Sequence, residues 1–168
     1  MVTVVRSSAY IVIGLVTFAL FALQARAQAT DAEAYVFYSH GFIVEGDNET
    51  PVHPRWGMYD FPAVRDALKN DAYTLIAIHR PAGHSAQAHA DVLVSRVTEL
   101  LDSGVPASRI ALTGFSRGGV ITALAADTLK NKELSIILLA TCSDAITRNA
   151  ELKFYGRVLS IIESSDEV

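Results

Sequence analysis

A serine flanked by two glycines lies where a predicted strand gives way to a predicted helix. Residues 109–119 read Arg-Ile-Ala-Leu-Thr-Gly-Phe-Ser-Arg-Gly-Gly, so Ser116 has Gly114 two positions before it and Gly118 two positions after it. A serine on such a turn projects its hydroxyl away from the backbone, and the following helix offers unpaired N–H groups to an oxyanion. These residue types at this spacing indicate a serine nucleophile.

The elements on either side of the turn decide how specific this signal is. A Gly-x-Ser-x-Gly pattern is expected by chance in roughly one chain in twenty of this length, so the pattern needs its context. Residues 110–113 are apolar and suit a short buried strand, and residues 120–129 have the apolar spacing of an amphipathic helix. Where strand and helix approach closely, Gly114 and Gly118 leave room that a side chain would fill. A strand-to-helix turn without chemistry remains the alternative.

With this context the sequence resembles the alpha/beta-hydrolases. A second motif, His40-Gly41-Phe42, directly follows an aromatic and β-branched run at residues 35–38. The resemblance implies that the backbone N–H groups of Phe42 and Arg117 form an oxyanion hole. It also implies that Gly41 lets the backbone approach a substrate, and that His40 braces this turn instead of acting as general base.

The remaining triad members are incomplete. The resemblance implies the chain order serine, acid, histidine. Asp166, after the last predicted strand, is the favoured acid and Asp144 the fallback, although either can be an exposed turn aspartate. No histidine follows Ser116, since all five precede it: His40, His53, His79, His84 and His89.

Two hypotheses from different classes follow. The first is a secreted serine hydrolase that acts on a small ester or related acyl compound, in a C-terminally incomplete form that lacks the triad histidine and is inactive or nearly so. The second is a non-catalytic binding or scaffold protein on the same fold. An intact serine turn beside an oxyanion turn favours the first. The sequence does not specify the acyl group or the leaving group.

The first 27 residues differ in composition from the rest of the chain. Arg6 is followed by an uncharged apolar stretch at residues 9–23, and Ala25-Arg26-Ala27 fits a cleavage site between small residues, with Ala27-Gln28-Ala29 as a second possible site. About fifteen apolar residues are short for a bilayer core of about 30 Å, so a removable signal is favoured over an anchor. We therefore expect residues 1–27 to be a signal peptide and residues 28–168 one secreted or periplasmic domain without a stable membrane span.

Charge and cysteine content limit the partners. Residues 1–27 contain two arginines and no acid, so the net charge of the remainder is −6 instead of −4. An acidic chain of this kind is not expected to bind nucleic acid. Cys142 is the single cysteine. It is interpreted either as a buried small residue or as half of a disulfide whose partner belongs to a C-terminal segment that this sequence lacks.

The segment after the second motif is polar and rich in Gly and Pro. Residues 43–59 therefore predict a surface loop across the mouth of the site. Within it, His53, Arg55 and Trp56 are the residues most able to contact a ligand. Asp60 is predicted to cap a helix over residues 61–69, with Pro62 in its first turn.

The remaining pattern predicts an α/β fold. Strands that are apolar on both faces and alternate with helices indicate a mostly parallel sheet covered on both sides. The expected architecture is a minimal alpha/beta-hydrolase fold with strands at 35–38, 74–78, 110–113, 134–140 and 158–162, and helices at 61–69, 86–101 and 120–129. No cofactor is expected. His79, His84 and His89 are five residues apart, which is not the spacing of metal ligands on one helix face.

Overall fold

The computed structural model describes residues 33–141, 146 and 148–163. The predicted signal peptide, Cys142, Asp144 and Asp166 lie outside the described residues. Within the described part, no helix has both the length and the apolar character needed to cross a bilayer.

Five strands of the described residues form one parallel sheet, as the sequence predicts. Their bounds are β1 Tyr35–Ser39, β4 Thr74–Ala77, β5 Ile110–Phe115, β6 Ser135–Leu139 and β7 Arg157–Ile161, and β2 Val52–His53 and β3 Gly57–Met58 form a separate antiparallel pair. In spatial order the strands of the sheet are β4, β1, β5, β6 and β7, and all four neighbouring pairs are parallel. The carboxyl ends of the strands therefore meet along one edge, where Ser39 pairs in register with Gly114 and Phe115 with Leu139.

The described residues include three α-helices, and side-chain caps mark the starts of two of them. The Asp60 carboxylate accepts a hydrogen bond of 2.9 Å from the Ala63 N–H, and the Ser85 hydroxyl accepts one of 3.1 Å from the Ala88 N–H. Each satisfies an N–H group that has no partner within the helix. The helices are α1 Phe61–Ala67, α2 Ala86–Asp102 and α3 Arg117–Leu129, and there are 3₁₀ turns at Phe42–Val44 and Ala107–Arg109.

Helix α3 begins three residues earlier than its apolar pattern predicts, immediately after Ser116. The sequence predicts a later start because Gly118 and Gly119 have low helix propensity: glycine in a helix interior is less stable than alanine by about 1 kcal/mol. Both glycines are buried in the first turn. Packing against the sheet therefore overrides their low helix propensity.

The helices cover the two faces of the sheet. Alternate residues of a strand point to opposite faces, and Phe37 packs with α2 and α3 whereas Tyr38 packs with Phe61 of α1. Helices α2 and α3 thus lie on one face and α1 lies on the other. The larger core, on the α2 and α3 face, centres on the fully buried side chains of Ile110, Leu112, Ile121, Leu134 and Ile136.

The sheet is flanked by helices as expected, and its β7 edge is exposed. All five residues of this strand are exposed, and the exposed fractions of Val158, Leu159 and Ile161 are 46%, 54% and 51%. The physical reason is position: β7 is the last strand of the sheet, and the described helices pack over the central strands. An apolar run indicates a strand, but does not reveal which strand lies at the edge.

The segment at residues 43–59 is more ordered than the predicted surface loop. It contains part of a 3₁₀ turn and the whole β2–β3 hairpin. Val44 is fully buried beside Tyr38 and Phe61, and the Glu45 side chain is only 2% exposed. The beginning of this segment is therefore anchored in the protein, whereas the hairpin carries the exposed residues Arg55 and Trp56.

The close approach of α3 to β1 gives a stability prediction. A Cβ added to Gly118 would lie 1.9 Å from the Ser39 carbonyl oxygen. Gly→Ala ordinarily stabilises a helix by about 1 kcal/mol, but here we expect Gly118→Ala to lower the free energy of unfolding by about 2 kcal/mol or more, because backbone must move. Urea denaturation measures the change.

Gly104→Ala is the matched control. Gly104 has a φ of +95° and nothing within 4 Å of an added Cβ, so only the left-handed backbone penalty of about 1–2 kcal/mol applies there. A Gly118→Ala protein as stable as the wild type would contradict the assigned contact.

Candidate active site

Ser116 occupies the junction between β5 and α3 in a strained backbone conformation. Its φ is +52° and its ψ is −118°, a region that residues with a side chain rarely adopt and that costs about 1–3 kcal/mol. The Ser116 N–H donates to the Leu139 carbonyl at 2.9 Å, and its own carbonyl accepts from Gly119 N–H and Val120 N–H. The residue is exposed, and its side chain makes no capping hydrogen bond. The backbone is thus held while the hydroxyl is accessible.

Close contacts on both sides of the serine hold this turn. A Cβ on Gly114 would lie 2.2 Å from the Gly118 carbonyl oxygen, and one on Gly119 would lie 1.9 Å from the Thr141 Oγ1 atom. Both distances are far shorter than any real Cβ contact. Position 114 meets backbone and therefore requires glycine, whereas a side chain at position 119 would require the Thr141 side chain to move. The strand and the first turn of the helix therefore approach as closely as the sequence motif predicts.

The turn after β1 lies beside Ser116. A Cβ on Gly41 would lie 3.8 Å from the Ser116 Cβ and 3.2 Å from the Phe115 ring. Phe42 begins the 3₁₀ turn, and Arg117 is the first residue of α3. Among the described residues, neither Phe42 N–H nor Arg117 N–H donates to a backbone carbonyl. Gly41 and Ser116 are therefore neighbours in space. The two predicted oxyanion donors are the N–H groups of Phe42 and Arg117, the residues that directly follow them in the sequence.

His40 is fully buried under the turn and both of its ring nitrogens are engaged. Its Nε2 accepts a hydrogen bond of 2.9 Å from the Arg80 N–H, so Nδ1 carries the proton and donates to the Gly41 carbonyl at 2.8 Å. Burial lowers the pKa of His40 to about 4, and the nearby Arg80 charge contributes in the same direction. The ring is therefore neutral, with one tautomer, and it links the two loops.

A buried carboxylate joins three loops around the serine turn. Glu45 Oε1 lies 2.9 Å from Arg117 Nε and 3.3 Å from Arg80 Nη2. Arg117 Nη2 also donates to the His84 carbonyl at 2.7 Å, and Arg80 Nη2 donates to the His40 carbonyl. The Arg117 guanidinium lies 5.1 Å from the centre of the Phe42 ring, in a cation–π arrangement.

Glu45 and Arg80 were not among the site residues predicted from the sequence. Glu45 lies in a polar segment and its partner Arg117 is 72 residues away, so no local pattern marks it. Arg80 follows a predicted strand, and that was the one available signal, because the ends of parallel strands meet at one edge of the sheet.

The structure does not join any of the five histidine rings to Ser116. His40 contacts Gly41 and Arg80, as described above. His79 donates from Nε2 to the Val44 carbonyl, His53 stacks on Trp56 at 4.1 Å, and the rings of His84 and His89 are 5.6 Å apart. In the part of the chain that the structure describes, no three His, Cys, Asp or Glu side chains lie close enough together to hold a metal ion.

The predicted ligand-contact residues lie together on the hairpin. Besides the His53 stack, the Arg55 guanidinium lies 5.4 Å from the centre of the Trp56 ring, and Trp56 is 69% exposed. Their role in ligand contact stays a prediction. The acid candidates Asp144 and Asp166 follow β6 and β7 in the sequence, but lie outside the described residues.

Comparison with known proteins adds a likeness at the level of structure. No protein-family model matches the chain, and no curated protein matches it. Among solved structures, the chain is similar to a phospholipase/carboxylesterase from Dyadobacter fermentans, with 14% sequence identity, 80% of this chain and 82% of that chain covered, and a TM-score of 0.49. An identity this low carries no information on the residues of the site.

Proposed function

We propose that the protein is a serine hydrolase that cleaves a small ester or related acyl compound, with Ser116 as the nucleophile. The observation that carries the proposal is the strained backbone of Ser116. A non-glycine residue at φ +52°, exposed and placed between a strand and a helix, has a conformation that costs stability and that tight packing maintains. Such strain is concentrated at functional sites, and this position is that of a nucleophile elbow.

In the proposed reaction the Ser116 Oγ attacks the carbonyl carbon of the substrate. The carbonyl oxygen becomes an oxyanion, which accepts hydrogen bonds from the N–H groups of Phe42 and Arg117. Loss of one such donor costs about 3 kcal/mol of transition-state stabilisation in known cases. The alcohol leaves with a proton, and water then hydrolyses the acyl-serine to release the acid and restore the hydroxyl.

Attack requires a base to remove the hydroxyl proton, and none of the five histidines is proposed for that role. His40 accepts a hydrogen bond at Nε2 and is neutral and buried. None of the contacts given above joins the other four rings to Ser116. We propose that the base is a histidine supplied by a longer form of the protein and oriented by Asp166, with Asp144 as the fallback. His40 is then a positioning residue, because it holds the Gly41 carbonyl and thus the turn that ends in Phe42 N–H.

The second candidate function is a non-catalytic binding protein on the same fold. The absence of contact between Ser116 and any of the five histidine rings favours it. Under this alternative the strained serine has no chemical role, and its hydroxyl has ordinary reactivity.

Covalent labelling separates the two candidates. We expect a fluorophosphonate to modify Ser116 in the protein expressed from its complete natural reading frame, and we expect Ser116→Ala to abolish that labelling. The same substitution is expected to lower aryl-ester hydrolysis at least about a thousand-fold, because loss of a nucleophile removes the covalent route. Its effect on stability is expected to be within about 0.5 kcal/mol, since the hydroxyl is exposed.

Ser103→Ala is the matched control, because Ser103 also lies at a helix end and is exposed. It is expected to leave labelling unchanged. Residues 28–168 alone are expected to label only slowly, whereas equal labelling of both forms would place the base among the five histidines. Labelling that persists in Ser116→Ala, or that never occurs in the complete protein, would refute the hydrolase proposal.

The buried state of His40 gives a prediction for the pH dependence of stability. Its pKa is about 4 in the folded protein, below the value of about 6.5 expected in the unfolded chain. As the pH falls, the unfolded state therefore binds this proton first. The free energy of unfolding is therefore expected to fall by about 3 kcal/mol as the pH is lowered from roughly 6.5 to 4. Above that range, His40 is expected to make no difference to the pH dependence.

NMR titration of the His40 ring measures the pKa without a substitution. We expect the ring resonances to stay at their neutral positions from pH 7 to about pH 5. A midpoint near the ordinary value of about 6.5 would show that the ring is not held neutral, and His40 would then lose its positioning role.

A further inference from the structure

Glu45 is hydrogen-bonded to both residues whose N–H groups are the proposed oxyanion donors. Its backbone N–H donates to the Phe42 carbonyl at 2.9 Å and so closes the 3₁₀ turn Phe42–Val44. Its carboxylate oxygen Oε1 accepts a hydrogen bond of 2.9 Å from Nε of Arg117, the first residue of α3. One residue therefore connects the two donors, although they belong to segments far apart in the chain.

The Arg117 side chain is held at three points. Besides the hydrogen bond to Glu45, its Nη2 donates to the His84 carbonyl at 2.7 Å, and its guanidinium lies 5.1 Å from the centre of the Phe42 ring. A guanidinium is planar and its donors have fixed directions, so two hydrogen bonds to different partners leave it little freedom. The side chains of the two donor residues are therefore in contact, and Glu45 orients the charged one.

Apolar packing anchors one end of the 3₁₀ turn more firmly than the other. Val44 is fully buried, whereas Phe42 is 62% exposed and Ile43 is 37% exposed. The proposed donor of this turn, the Phe42 N–H, therefore belongs to its exposed end. The contacts with Glu45 and Arg117 join this end of the turn to the start of α3.

The burial of the Glu45 carboxylate needs a reason other than stability. The side chain is only 2% exposed, and a buried ion pair is often no more stabilising than apolar residues of similar volume. What the pair with Arg117 contributes is geometry, because its length and direction set where the guanidinium lies against the turn. Oxyanion donors require such precision, since each must lie within about 2.7–3.1 Å of the oxyanion.

We infer that Glu45 is a positioning residue of the proposed reaction: by holding the Arg117 guanidinium against the Phe42 ring, it fixes the separation of the two N–H donors. This inference rests on the proposed serine hydrolase function. Glu45 acts through Arg117 and does not itself contact the substrate. Loss of its charge weakens stabilisation of the oxyanion and leaves substrate affinity unchanged, because the oxyanion is absent from the bound substrate.

Fluorophosphonate labelling of Ser116 and aryl-ester kinetics in the complete protein test this inference. Glu45→Gln keeps the shape of the side chain and removes its charge. We expect it to lower the labelling rate and kcat about tenfold or more, with KM within about twofold of the wild-type value, because displaced donors weaken only the transition state. A rise in KM at unchanged kcat would assign Glu45 to substrate binding and overturn the inference.

A double-mutant cycle shows whether Glu45 acts through Arg117. Arg117→Met removes both hydrogen bonds of the guanidinium and keeps an unbranched side chain, and it is expected to slow labelling by a similar factor. The double variant is expected to be about as slow as either single variant, because both changes break the same link. Losses that multiply would show that Glu45 acts through another partner, such as Arg80, and would overturn the inference. If Glu45→Gln fails to fold, Arg117→Met decides, since that side chain is partly exposed.

Arg65→Met is the matched control. Arg65 also pairs with a glutamate, with its Nη1 3.6 Å from Glu49 Oε1, and its guanidinium also lies over a phenylalanine, 5.4 Å from the centre of the Phe61 ring. Because these contacts lie on α1 and not at the serine turn, the labelling rate and kcat are expected to stay within about twofold of the wild-type values.

The wild-type protein separates the two possible failures. If the complete wild-type protein is not labelled, the hydrolase proposal fails and this inference fails with it. If the wild type is labelled, and the folded Glu45→Gln and Arg117→Met variants are labelled as fast as Arg65→Met, only the positioning role of Glu45 is overturned.

Discussion

The close approach of backbone to backbone at the start of α3 is the constraint on which the site depends. The first turn of the helix lies against the carbonyl of Ser39 on β1 and against Gly114 on β5. Only glycine fits at Gly114 and Gly118, and the close contact forces a sharp turn between the strand and the helix. Ser116 lies at this turn, so its strained φ is a consequence of packing. The surrounding strands and helices supply the free energy that maintains the strain.

A second constraint is electrostatic. Glu45 is buried between Arg80 and Arg117, and it ties the turn after β1 to the loop after β4 and to the first residue of α3. Burial of charged groups is costly, and ion pairs of this kind contribute more to fixing geometry than to stability. Together with the neutral His40 they hold the Gly41–Phe42 turn beside the serine.

The fold was largely predictable from the sequence, since apolar runs separated by turn residues and helical periods mark elements that are local in the chain. The sequence also allowed prediction of Gly114, Ser116 and Gly118, because a position without room for a side chain requires glycine. Contacts between distant segments could not be predicted. The burial of Glu45 depends on Arg117, and no local pattern links the two residues. The hairpin at residues 52–58 was not predicted, because strand pairing is a property of the assembled structure.

The bend at Ser116 is proposed to present a nucleophile to two N–H donors. A crystal structure of the complete protein after reaction with a phosphonate would show whether it does. We expect an adduct on Ser116 Oγ, a positive φ at Ser116, and a phosphoryl oxygen within about 2.7–3.1 Å of both Phe42 N and Arg117 N. A phosphoryl oxygen directed to solvent, or a relaxed Ser116 with negative φ, would contradict it.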